Sequence, residues 1–161
     1  MNPGSVGRRT VVICGSMKQL DLMSRIGDFL RSAGLDAVAP VPDEPTDWTM
    51  ESLRRLKRTA SRRHMNRIRD PDTAAILVVN VDRPGAHDYV GPNAFAEIGV
   101  AFLDNRRVYL LQGMPASYAD ELRAWEVTCL NGDIRPLLCA LNVPCPVNLA
   151  GWTEAVRHAR M

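Results

Sequence analysis

"TAAILVVNVD", residues 73–82, is the stretch on which the fold turns. It is apolar from Ala74 to Val79 and becomes polar only at Asn80 and Asp82. A continuous apolar run of this length reads as a strand covered on both faces, the usual setting of a parallel sheet. Upstream, "RRTVVICGS" (8–16) is a second apolar, β-branched run that ends in a tight turn at Gly15. The two runs are separated by helical patterns. In "MKQLDLMSRIGDFLRSAG" (17–34), Leu22, Ile26, Phe29 and Leu30 fall near helical spacing and Gly34 is a natural stop. "LDAVAPVP" (35–42) reads as a further strand, and the proline- and acid-rich "PVPDEPTDW" (40–48) as a loop. Residues 50–69 read as a long basic helix with an incomplete apolar stripe through Met50, Leu53, Leu56, Ala60, His64 and Ile68.

Downstream, "RPGAHDYVG" (83–91) is a loop and residues 92–104 a helix, with Pro92 suited to its first turn. "RRVYLLQG" (106–113) reads as a strand, "SYADELRAWEVT" (117–128) as a helix, and a short strand or loop leads to "NGD" (131–133). A short tail helix is expected in "LAGWTEAVRHA" (149–159). Alternating strands and helices imply an α/β fold, a three-layer sandwich around a parallel sheet of about five strands. No repeat or linker divides the chain, so residues 1–161 are expected to form one domain, a size that suits one core.

Composition narrows the function classes. Apolar content of 46% and charged content of 24% are ordinary for a globular protein, and a net charge of +2 does not argue for nucleic acid or an anionic membrane. No apolar run is long enough to span a bilayer, and "VVIC" is too short for a signal peptide, so no targeting segment is expected and a cytoplasmic setting is. Cys14, Cys129, Cys139 and Cys145 make no close C-x-x-C pair and the three histidines are scattered, so no zinc site is expected. Cys14 reads as a small buried thiol. The basic helix lacks interleaved aromatics, and a solvated face or subunit contact is preferred to nucleic-acid binding. His64, on its apolar stripe, reads as packed or surface rather than catalytic.

In parallel sheets, ligands bind at the carboxyl ends of strands near a switch in strand order. That rule gathers Ser16, Lys18, Asn80, Asp82, Asn93 and Glu97. "GSMK" (15–18) places a strand-to-helix turn next to a lysine, which suits an anion. It is neither a Walker loop nor a dinucleotide fingerprint. Glu97 lies among Phe95, Ile98, Ala101 and Phe102, so it is expected at the margin of the core, where a carboxylate costs free energy unless paired or used. A surface glutamate on the outer face of the helix is the competing reading.

Taken in order, "VVICGSMKQL" (11–20), "AAILVVNVDRPGAHDYVGPNAFAEIGVAF" (74–102), "RRVYLL" (106–111) and "NGDI" (131–134) resemble the nucleoside 2-deoxyribosyltransferase-like superfamily, which includes the 2′-deoxynucleoside 5′-monophosphate N-glycosidases. The resemblance implies a flavodoxin-like fold, a homodimer or higher homo-oligomer, and a nucleoside or nucleotide substrate. It implies no cofactor and no metal. By motif position Glu97 is the nucleophile and Asp82 the second catalytic residue, at a polar position lining the sugar site. Gly15, Ser16, Met17 and Lys18 match the loop that holds sugar or 5′-phosphate, and Asn80, Tyr89, Gly91 and Asn93 complete the substrate-binding set. Pro92 stands where the family's pattern has a second glycine, and the acid that protonates the departing base stays open among Asp70, Asp72 and the position of Asn66. The alternative is a non-catalytic nucleotide-binding or sensing module on the same fold.

Overall fold

The computed structural model describes residues 9–157 and Ala159. Residues 1–8, read above as free of a targeting segment, and His158 of the expected tail helix lie outside that description.

Five strands form one parallel sheet: β1 (Thr10–Gly15), β2 (Asp36–Val38), β3 (Thr73–Val79), β4 (Arg107–Leu110) and β5 (Thr128–Cys129), in the spatial order β2-β1-β3-β4-β5. This is the flavodoxin-like order. The order switches between β1 and β3, which pair over their whole length up to Gly15 with Val79. Among the described residues six α-helices flank the sheet: α1 (Leu20–Ser32), α2 (Met50–Arg69), α3 (Pro92–Leu103), α4 (Ala119–Ala124), α5 (Arg135–Ala140) and α6 (Ala150–Val156). Among the described residues no helix is long and apolar enough to cross a membrane.

The apolar run of β3 has the cause its sequence implied. Ala75, Leu77 and Val79 enter one core with Val11 and Ile13 of β1 and with residues of α1, α5 and α6. Ile76 and Val78 enter the other core with Val12, Cys14, Ile68 of α2, Leu122 of α4 and Ala94, Ile98 and Ala101 of α3. Each fully buried branched side chain contributes about 1.5–3 kcal/mol of transfer free energy.

Local chemistry sets the element ends. Thr49 caps α2 by accepting the Ser52 N–H at 3.2 Å, and Asp47 in turn accepts the Thr49 N–H at 2.9 Å. Gly34, at φ +93°, ends α1, and the Leu35 N–H reaches back to Leu30 O at 3.0 Å. Some boundaries differ from the sequence pattern. The strand expected over 35–42 is laddered only at Asp36–Val38, because Pro40 and Pro42 cannot donate. The helix expected over 117–128 narrows to Ala119–Ala124, bounded by positive φ at Tyr118 and Glu126. α5 was not anticipated.

Candidate active site

A cavity of about 790 Å³ lies at the carboxyl ends of β1 and β3, where the strand order switches. Its walls are the turn after β1, the loop after β2, one face of α2, the loop after β3 and the start of α3. Of the site residues named from sequence, Gly15, Ser16, Met17, Lys18, Tyr89, Gly91, Asn93 and Glu97 line it. The turn is held by Ser16, whose hydroxyl accepts the Lys18 N–H at 3.3 Å. A side chain at position 15 would press on Met23 Sδ at 3.2 Å and Val79 Cβ at 3.3 Å, which explains the glycine.

Asn80 and Asp82 are not among the lining residues. Asn80 is fully buried and serves three backbone groups. Its Nδ2 donates to Gly113 O (2.9 Å) and Asp88 O (3.2 Å), and its Oδ1 accepts the Gln112 N–H (2.9 Å). It therefore ties the end of β3 to the segment after β4. Asp82 organises its own loop: Oδ1 accepts the Asp88 N–H at 2.8 Å and Oδ2 lies 3.2 Å from His87 Nδ1. Polar residues at a strand end looked like site residues in sequence; in the fold they answer backbone groups that burial would otherwise leave unpaired.

Glu97 takes its place from helix geometry. Ala94, Ile98 and Ala101 form the buried stripe of α3, and Glu97 flanks that stripe. On α2, His64 lies one turn before the buried Ile68 and so shares its face. On β1, Cys14 points to the same side of the sheet as Val12. The three side chains converge. His64 Nε2 is 3.5 Å from Cys14 Sγ and 4.0 Å from Glu97 Oε1. Both His64 and Glu97 side chains are nearly buried, and Glu97 Oε2 has no hydrogen-bond partner among the described residues.

Burial dominates the electrostatics here. It pushes the Glu97 carboxyl up to about 7, opposed by a hydrogen bond from the Cys14 thiol. It pushes His64 below the ordinary imidazole value, helped by the charge of Arg63 and opposed by a hydrogen bond to the Ile13 backbone. It raises the Cys14 thiol well above its usual range, reinforced by the Glu97 charge. Glu97 and His64 are thus close but not an ordinary ion pair, since each is driven toward its neutral form. At neutral pH the thiol is an S–H donor and the carboxyl is poised between its acid and its carboxylate.

Cations line the same cavity. Lys18, Lys57, Arg63, Arg67 and Arg83 line the cavity. Arg63 is engaged with Asp43 of the loop after β2, at 2.5 and 3.1 Å, and Arg83 lies over the Tyr89 ring at 4.2 Å. Asp43 is the one acid besides Glu97 on the cavity wall. Sequence reasoning read Cys14 as a buried thiol and His64 as packed or surface, and placed neither in the site. Their signal was positional: an i, i+4 relation of His64 to Ile68, and the last inward residue of β1.

Compared with protein-family models, with curated proteins and with solved structures, the chain finds no match.

Proposed function

We propose that the protein cleaves or exchanges the N-glycosidic bond of a nucleoside or nucleoside 5′-monophosphate, with Glu97 as the nucleophile. One observation carries the reading: a nearly buried glutamate on the cavity wall with a carboxylate oxygen that has no hydrogen-bond partner among the described residues. Breaking a glycosidic bond develops positive charge on the sugar, and a carboxylate beside the anomeric carbon stabilises that charge and can trap it. The resemblance to the nucleoside 2-deoxyribosyltransferase-like superfamily agrees with this assignment.

The step balances as follows. A Glu97 oxygen forms a bond to the anomeric carbon as the carbon–nitrogen bond breaks, and the electron pair leaves with the base. The base takes a proton as it leaves. His64, on the cavity wall beside Glu97, is the titratable neighbour placed to deliver it, from the imidazolium form that burial keeps in the minority at neutral pH. Water, or a second base, then attacks the ribosyl ester and frees the carboxylate, returning a proton to His64. Lys18, at the turn after β1, suits a 5′-phosphate. The homo-oligomer implied by the resemblance belongs to the same proposal. The stacked row Tyr118, Phe95, Trp125 and Phe102, partly exposed on α3 and α4, is a surface suited to it, and sedimentation would check it.

The test is free-base release from a panel of ribo- and deoxynucleosides and their 5′-monophosphates, followed by liquid chromatography with mass detection. Wild type releases base from one class and Glu97→Gln does not. Tight nucleotide binding with no release, with or without an acceptor base, would replace this reading with a non-catalytic binding module.

A further inference from the structure

Cys14, His64 and Glu97 come from a strand and two helices far apart in sequence, yet one ligand atom of each lies within 4.8 Å of the others. The spacing is close to that of a coordination polyhedron. With metal–sulfur and metal–nitrogen bonds of about 2.3 and 2.0 Å, two ligands of a tetrahedral ion lie about 3.6 Å apart. Cys14 Sγ and His64 Nε2 are 3.5 Å apart. His64 Nε2 and Glu97 Oε1, at 4.0 Å, need to close by about half an ångström, within the reach of a glutamate rotamer. Glu97 Oε2 is a buried acceptor with no donor among the described residues.

We propose that Cys14, His64 and Glu97 form a binding site for a single thiophilic divalent cation of the zinc class, with its remaining coordination position open to the cavity. Thiolate, imidazole and carboxylate together carry two negative charges, which neutralise the ion. Binding releases the thiol proton to solvent, along with any proton held by Glu97. The ion is not required for the glycosidic chemistry; it competes with it. A carboxylate that coordinates the metal cannot attack the anomeric carbon, so occupancy switches the enzyme off. That regulatory half rests on the proposed glycosidase reading, whereas the binding half stands on geometry alone.

The experiment uses the full chain carrying Cys139→Ser and Cys145→Ser, which removes the two exposed thiols, after chelation. Cobalt(II) is titrated as the spectroscopic probe. One equivalent should give intense tetrahedral visible bands and a sulfur-to-cobalt charge-transfer band, and zinc should displace it. X-ray absorption on the zinc-loaded protein should read one sulfur with nitrogen and oxygen neighbours. Cys14→Ser should abolish the charge-transfer band, and His64→Asn should collapse the tetrahedral intensity. Absence of the bands, or bands that survive Cys14→Ser, overturns the site. The X-ray measurement needs no variant and decides the matter if Cys14→Ser does not fold. Base release is then compared between chelated and zinc-loaded protein. Release restored by chelation supports the switch; equal release with the metal bound overturns it. No release from either form counts against the glycosidase reading and leaves the spectra to judge the site.

Discussion

His64 Nε2 lies 4.0 Å from Glu97 Oε1, with Cys14 Sγ 3.5 Å from the same nitrogen, so a base, an acid and a thiol share one partly closed corner of the cavity. The corner is expensive to keep charged, and that expense can be measured. Glu97 titrates near pH 7 in the fold, against an ordinary value of 4.5. The unfolded chain therefore gives up this proton first. The stability linked to the proton is fully present below pH 4.5 and is lost as pH rises through 7. A shift of this size corresponds to about 3 kcal/mol, an upper figure because part of the side chain is wet. Glu97→Gln keeps the shape without the charge. In chelator, urea unfolding should give wild type and variant similar stability at pH 5 and a clear advantage to the variant at pH 8. An equal difference at both pH values would contradict a strongly raised carboxyl.

The role assigned to His64 can be separated from a packing role by the leaving group. Removing a general acid typically costs about 10²–10⁴ in rate. His64→Asn should lower release of neutral bases within that range. An N7-methylated purine already carries its positive charge and departs without a further proton. Its release should fall far less. A uniform loss for both substrates would assign His64 to packing, and Glu97→Gln should silence both.

Asn80 offers the reverse case, a residue read from sequence as substrate-binding whose amide is engaged by backbone groups. Its amide satisfies the Gln112 N–H and two carbonyls in a buried setting. Asn80→Ala strips these partners where water cannot easily replace them, at a cost of about 2–4 kcal/mol. The effect should appear as a fall in the urea midpoint. Base release per folded molecule should change little, because Asn80 does not line the cavity. A selective loss of turnover at unchanged stability would return Asn80 to the site.

These contrasts explain what was legible in the sequence. The uninterrupted run of β3 declared itself because burial on two faces leaves no polar alternation; the stripe of α2 marked the helix and its inward side, although only Ile68 is fully buried and Met50 is exposed. β5, two residues long, and α5, which opens on Arg135 and Pro136, are too short to carry a period. Glu97 and the Gly15–Lys18 turn were legible because a carboxylate on an apolar helix and a turn at a strand end are local features. Cys14 and His64 were not, since 50 residues separate them and only the packing of α2 over the sheet brings them together. Asn80 and Asp82 stand apart from the cavity wall, and sequence cannot distinguish a polar group facing a ligand from one bonded to backbone.

Lys18 sets the last expectation, on the substrate's phosphate. It lines the cavity at the turn after β1, and among the described residues its ammonium group has no recorded carboxylate partner. A charge-assisted contact from such a group is worth about 1.5–3 kcal/mol, or roughly 10–100-fold in affinity. Lys18→Ala should therefore raise KM for a nucleoside 5′-monophosphate by about that factor. The corresponding nucleoside, which has nothing for the ammonium to hold, should be unaffected. The kcat should change little for either, because the contact is made equally in the ground and transition states. Lys18→Arg, which keeps the charge, should recover most of the loss. If the nucleoside and its monophosphate respond alike, Lys18 is not reading a phosphate, and Arg67 and Lys57 on the α2 wall become the next cations to replace.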